Sequence, residues 1–86
     1  MKVWITKYAL TQGIEEVDLT QVTSFKIEHG YLAFYRKNSQ LPEVYFKNDW
    51  CDTKEQAINK AEEMRKKKIE SLKKQIAKLE NIKFEE

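Results

Sequence analysis

The chain has 86 residues and a mass of 10.3 kDa, the size of one small domain with a thin core. Hydrophobic residues make up 41%, charged residues 35%, and there are two Gly and one Pro, which excludes collagen-like and low-complexity chains. Two Trp, four Tyr and four Phe argue against full disorder, and a net charge of +2 points by itself to neither nucleic acid nor membrane. No apolar run approaches the roughly 18 residues of a spanning helix, and residues 1–20 lack a signal peptide's apolar core. The single cysteine, Cys51, forms no internal disulfide, which fits a reducing compartment. No membrane association and a cytoplasmic location are the expectations.

The chain changes character near residue 52. Residues 1–52 hold nine of the ten aromatics, both glycines and the proline; residues 53–86 are dominated by Lys, Glu, Ala, Ile and Leu. The first part reads as strands and the second as one helix.

Val3, Ile5, Lys7 and Ala9 alternate with Trp4, Thr6, Tyr8 and Leu10, which predicts a strand over 2–9 closed by Gln12-Gly13. Val17, Leu19, Val22, Phe25 and Ile27 suggest a second strand, bent around 20–22. His29-Gly30 is a tight-turn signal, followed by a third strand over 31–37. Residues 38–42 form a loop, and 43–47 a fourth strand. Hairpin-length connections favour an antiparallel meander. The expected fold is α+β: an antiparallel sheet of about four strands followed by one long C-terminal helix.

Asp52 and Thr53 are both good helix N-caps, with Glu55 and Gln56 three residues on. Ala57, Ile58, Ala61, Met64, Ile69, Leu72, Ile76, Leu79 and Ile82 fall within one arc of roughly 140°. The remaining surface is charged, and Glu62–Lys66, Glu63–Lys67 and Glu70–Lys74 stand in the favourable acid-first order. A helix over 53–86 runs for about 48 Å. A compact domain of this size has a diameter of roughly 30 Å, and a small sheet offers a face only ~20 Å long. Ala57, Ile58, Ala61 and Met64 can therefore cover the sheet, whereas residues 69–82 outrun it. Ile69, Leu72, Ile76, Leu79 and Ile82 are assigned to self-association, since 3-4-3 spacing over 69–79 matches a short coiled-coil seam. The simplest partner is a parallel or antiparallel second copy. The alternative is a kink at Arg65–Lys68 that folds the helix back on its own sheet.

Catalytic chemistry has little to work with. One His and one Cys stand 22 positions apart with no third member of a triad. No CxxC, HExxH, EF-hand or P-loop spacing occurs, so no catalytic residue, metal or cofactor is expected. Partner-binding candidates are the aromatics Trp4, Tyr35, Tyr45 and Trp50, the residue types that anchor interfaces, and the acidic set Glu15, Glu16 and Asp18, expected in a loop. An alternative is a small nucleic-acid-binding module. Residues 54–86 carry a net charge of +3, against −1 for residues 1–53. Arg65, Lys66, Lys67, Lys68, Lys73 and Lys74 would then contact phosphate, and Trp4, Tyr8, Tyr31, Tyr35 and Tyr45 would stack on bases.

The octapeptide Lys7-Tyr8-Ala9-Leu10-Thr11-Gln12-Gly13-Ile14 and the lysine-rich stretch from Thr53 to Glu80 resemble short uncharacterised bacteriophage and prophage accessory proteins. These open with a KYALTxGI-like strand and end in a lysine-rich helix. The resemblance covers about half of the chain, and its N-terminal part is the more specific. The group has no assigned activity, so no functional residue carries over. The resemblance implies a phage accessory protein acting in a bacterial cytoplasm. By analogy with small phage proteins in general, it implies binding to a host protein, inhibition of a CRISPR or restriction component included. The reading is of a non-catalytic protein-binding factor, dimeric through its C-terminal helix.

Overall fold

The first strand, β1 (Lys2–Ile5), is shorter than its alternation suggests. Its ladder ends because the amides of Thr6 and Lys7 both donate to the Asp49 carbonyl, at 2.9 and 3.2 Å. The freed chain coils into a single turn, α1 (Ala9–Gln12), where a strand had been expected to continue. Gly13 closes that turn at φ 81°, ψ −177°, a conformation essentially confined to glycine. The computed structural model describes residues 1–84.

The expected second strand is two strands in two sheets. β2 (Glu15–Asp18) pairs antiparallel with β1, Val3 opposite Val17. The chain then turns: Asp18 accepts from the Thr20 amide and hydroxyl at 3.0 and 2.7 Å, and the Gln21 amide donates to the Asp18 carbonyl. The bend expected at 20–22 is therefore the corner between sheets. β3 (Ser24–Glu28), β4 (Tyr31–Tyr35) and β5 (Glu43–Tyr45) form an antiparallel meander. His29 and Gly30, at φ 51° and 83°, make the β3–β4 connection a two-residue hairpin of the type that needs positive φ at both positions. A further strand, β6 (Trp50–Cys51), returns to β1 and completes the order β2-β1-β6. The protein is α+β, with two three-stranded antiparallel sheets instead of one four-stranded sheet.

The sheets enclose the core. Val3, Ile5 and Val17 of the first meet Leu32, Phe34 and Tyr45 of the second, with Leu19 at the corner. Val22 and Trp50 pack against the margin, and Trp50 Nε1 donates to the Gly30 carbonyl at 2.9 Å. Alternation puts Trp4 and Cys51 on the opposite face of the first sheet.

The long helix, α2 (Lys54–Glu80), packs against β1, β6 and α1. Thr53 caps it, its hydroxyl accepting from the Gln56 amide at 3.2 Å. Ala57 is fully buried yet lies outside the core cluster, which places α2 on the Trp4–Cys51 side. The layers run from α2 through the first sheet and the core to the second sheet. Lys60, Ala61, Glu62 and Met64 are half-buried, while Ile58, assigned to the sheet-covering half, is 45% exposed. Residues 65–84 are all exposed. The helix runs unbroken through Arg65–Lys68, so it does not fold back on its own sheet. It ends at Glu80, with Asn81 as C-cap, short of the expected end at 86; residues 85 and 86 lie outside the described residues. The overhang stretches the molecule to 63 × 29 × 23 Å and its radius of gyration to 18.2 Å.

Candidate functional site

Among the described residues, two apolar surfaces stand out beside smaller exposed sites such as Phe25 and Ile27 on the inward side of β3, 48% and 39% exposed. One is the distal part of α2, where Ile69, Leu72, Ile76 and Leu79 are 42–68% exposed. Ile82 is also exposed, but follows the end of the helix. A helix this long and amphipathic forms because Thr53 starts it and no Gly or Pro interrupts it. None of the described residues then covers its distal stripe.

The other surface is the outer face of the second sheet. Leu32 and Phe34 point inward, so Tyr31, Ala33 and Tyr35 point outward, joined by Val44 opposite Ala33. Phe46 follows β5 and meets the Tyr31 ring edge-on at a centroid distance of 5.3 Å. Tyr31, Tyr35, Val44 and Phe46 are each 39–56% exposed. Three half-exposed aromatics amount to roughly 300 Å² of apolar surface, the size of a functional patch. Lys26 and Glu28 border it on β3, ion-paired at 2.8 Å.

Of the aromatics assigned to partner binding, only Tyr35 stands on this surface. Tyr45 is buried at 7% exposure, stacked with Phe34 at 6.0 Å, its hydroxyl donating to Glu43 at 2.9 Å. It belongs to the core, because its position in β5 pairs it with Leu32. Trp4 and Trp50 are half-buried, one on the α2 side of the first sheet and the other bonded to Gly30. Outward-facing Val44 and Phe46 were not among the candidates, and Tyr31 was named only for base stacking. Their signal is an apolar run on both faces, Tyr31 to Tyr35 and Val44 to Phe46.

The acidic residues are in a strand, not a loop, and each has a partner. Glu15 accepts from Arg36 Nη2 through both oxygens, at 3.0 and 2.9 Å. Arg36 Nε also bonds Glu43, so one guanidinium joins β2 to the meander. Glu43 holds the Arg36 guanidinium charged beyond its ordinary range; Arg36 in turn holds the Glu43 carboxyl below the usual carboxylate value. Burial, reinforced by Glu43, pushes the Tyr45 phenol up. Glu16 pairs with Lys2 at 3.1 Å, and the Thr20 bonds hold the Asp18 carboxyl low. These groups tie the fold together.

The basic candidates lie on exposed α2, distributed around the rod. Arg65 pairs with Glu62, Lys67 with Glu63 at 3.0 Å and Lys74 with Glu70 at 3.9 Å. Glu62 thus takes Arg65 in place of the expected Lys66. At 100° per residue, Lys68 and Lys66 lie about 160° apart, so the run presents no single cationic face.

Cys51 lies beside an open cleft of about 350 Å³ lined also by Gly30, Lys47, Trp50 and Gln56. Burial, with Asp52, pushes its thiol up, the reverse of an activated nucleophile. His29 projects into solvent 3.9 Å from Glu28. Among the described residues, no three His, Cys, Asp or Glu side chains converge to hold a metal ion, and no helix is long and apolar enough to cross a membrane. Compared with known proteins, the chain matches no family model, no curated protein and no solved structure.

Proposed function

We propose that the protein is a non-catalytic, protein-binding accessory factor whose docking element is the free-standing half of α2. The observation that carries this reading is the exposure of Ile69, Leu72, Ile76 and Leu79 along a continuous helix beyond the body. Such side chains in water forfeit ~1.5–3 kcal/mol each relative to burial, a large share of a small domain's stability. A protein surface that receives them recovers that energy. The resemblance to phage accessory proteins supports a host protein as target, with inhibition of a defence component such as a CRISPR or restriction protein as the role. A bacterial cytoplasm is the setting this implies.

The test is affinity capture from nuclease-treated bacterial lysate, comparing the native chain with the Leu72→Glu/Ile76→Glu variant. A protein retained by the first and lost with the second supports the proposal. Retention that disappears on nuclease treatment, or is equal for both chains, refutes it.

A further inference from the structure

The two bare apolar surfaces fit each other. The exposed stretch of α2 from residue 65 to residue 80 is about 24 Å long, and the whole molecule measures 29 × 23 Å across its 63 Å long axis. A second body set beside the first therefore finds about 24 Å of free helix to lie against. The three-stranded outer face spans roughly 15 Å in each direction, the length of α2 between Ile69 and Leu79.

The direction of the stripe agrees. Buried Ala57 and half-buried Ala61 and Met64 mark the side of α2 turned to its own body. Ile69, Leu72, Ile76 and Leu79 centre about 75° around the axis from that direction, so the stripe faces obliquely towards the side on which a neighbouring body lies. The helix cannot reach its own outer face. Two sheets about 10 Å apart stand between them, and α2 does not bend.

We infer that two copies form a closed two-fold dimer by exchanging helices. Residues 69–79 of each seat on the Tyr31–Tyr35–Val44–Phe46 face of the other. This rests on the protein-binding reading of α2 and names a second copy of the chain as the occupant of the stripe in the free protein, which a host target docking on α2 displaces. Each helix stripe offers roughly 300 Å² at about 80 Å² per half-exposed Leu or Ile, comparable to the sheet face. Reciprocal exchange buries about 1,200 Å², the lower bound of stable interfaces. Pairing the two stripes alone buries half of that and leaves both sheet faces wet. A parallel coiled coil with Ile69 and Ile76 at a and Leu72 and Leu79 at d also sets Lys68 against the partner's Lys73 on both flanks. The antiparallel alternative, with Ile69 over Leu79, brings the two Lys73 side chains together.

Sedimentation and disulfide trapping test the exchange, with far-UV circular dichroism confirming that each variant is folded. At ~50 μM the native chain is expected to sediment as a dimer. Leu72→Glu/Ile76→Glu and Tyr35→Glu/Val44→Glu are each expected to sediment as monomers. In a Cys51→Ser background, mixing a Val44→Cys chain with an Ile76→Cys chain is expected to trap the mixed dimer on oxidation. Dimers that survive Tyr35→Glu/Val44→Glu, or Ile76→Cys chains that trap one another in preference, overturn the exchange in favour of helix-on-helix pairing. A native monomer at this concentration overturns it outright. The lysate capture above then reports separately whether α2 docks on a different protein.

Discussion

Replacing Arg36 with methionine removes a side chain that bonds both β2 and β5 while keeping much of its apolar stem. Arg36 holds Glu15 through two bonds of 2.9–3.0 Å and also bonds Glu43, which accepts from buried Tyr45. Charge-assisted bonds of this kind contribute ~1.5–3 kcal/mol when buried. The Arg36 side chain is 41% exposed, so solvent screening reduces the expected loss to about 1–2 kcal/mol. For a domain of this size that is a fall in Tm of roughly 5–15 °C. Arg36 holds the Glu43 carboxyl below its ordinary value, so the stabilisation is complete above the unfolded value of ~4.3 and is lost as pH falls through the lower folded value. Urea unfolding of the native chain and of Arg36→Met should therefore differ most near neutral pH and converge towards pH 3. In a double-mutant cycle, Glu43→Gln should cost less in the Arg36→Met background than in the native one. A pH-independent difference, or one under ~0.3 kcal/mol at pH 7, refutes the idea that this clasp holds the sheets together.

Phe34 has no exposed surface and stacks on Tyr45, so Phe34→Ala should cost ~3–5 kcal/mol by chemical denaturation; a loss under ~1 kcal/mol contradicts its place in the core. Because burial and Asp52 push the Cys51 thiol up, iodoacetamide at pH 8 should modify the folded chain several-fold more slowly than the urea-unfolded chain; equal rates contradict that environment. Since half of the basic candidates on α2 are paired with glutamates, fluorescence anisotropy with generic DNA and RNA should show no binding at ~50 mM salt. Affinity there that falls by several log units per log of salt favours the nucleic-acid alternative instead.

The helix was legible because its signals are local: a Thr53 cap, acid-first ion pairs and no breaker. The β3–β4 hairpin was legible for the same reason, since His29-Gly30 carries its own turn geometry. What escaped depends on distant partners. The end of β1 is set by Asp49, and β6 is two residues long, too short for any period and defined only by pairing with β1. The split between β2 and β3 showed as a bend; its consequence, a second sheet, did not. In Val44-Tyr45-Phe46 every position is apolar, so alternation cannot say which side faces in, and Tyr45 was assigned to a partner rather than to the core. Glu15 looked available because its cation lies 21 positions away, beyond any sequence window.

The strand order β2-β1-β6 has a bearing on how the molecule assembles. The meander from β3 to β5 joins neighbours in the sequence and can form while the chain is still short. By contrast, β1 leaves the ribosome before the other five strands and waits for its last partner, since Trp4 lies opposite Cys51. Closing so wide a loop is the slow, high-contact-order step. A nascent or truncated chain ending before Trp50 carries one side of β1 as an open edge, the state in which this fold is most exposed to wrong pairing.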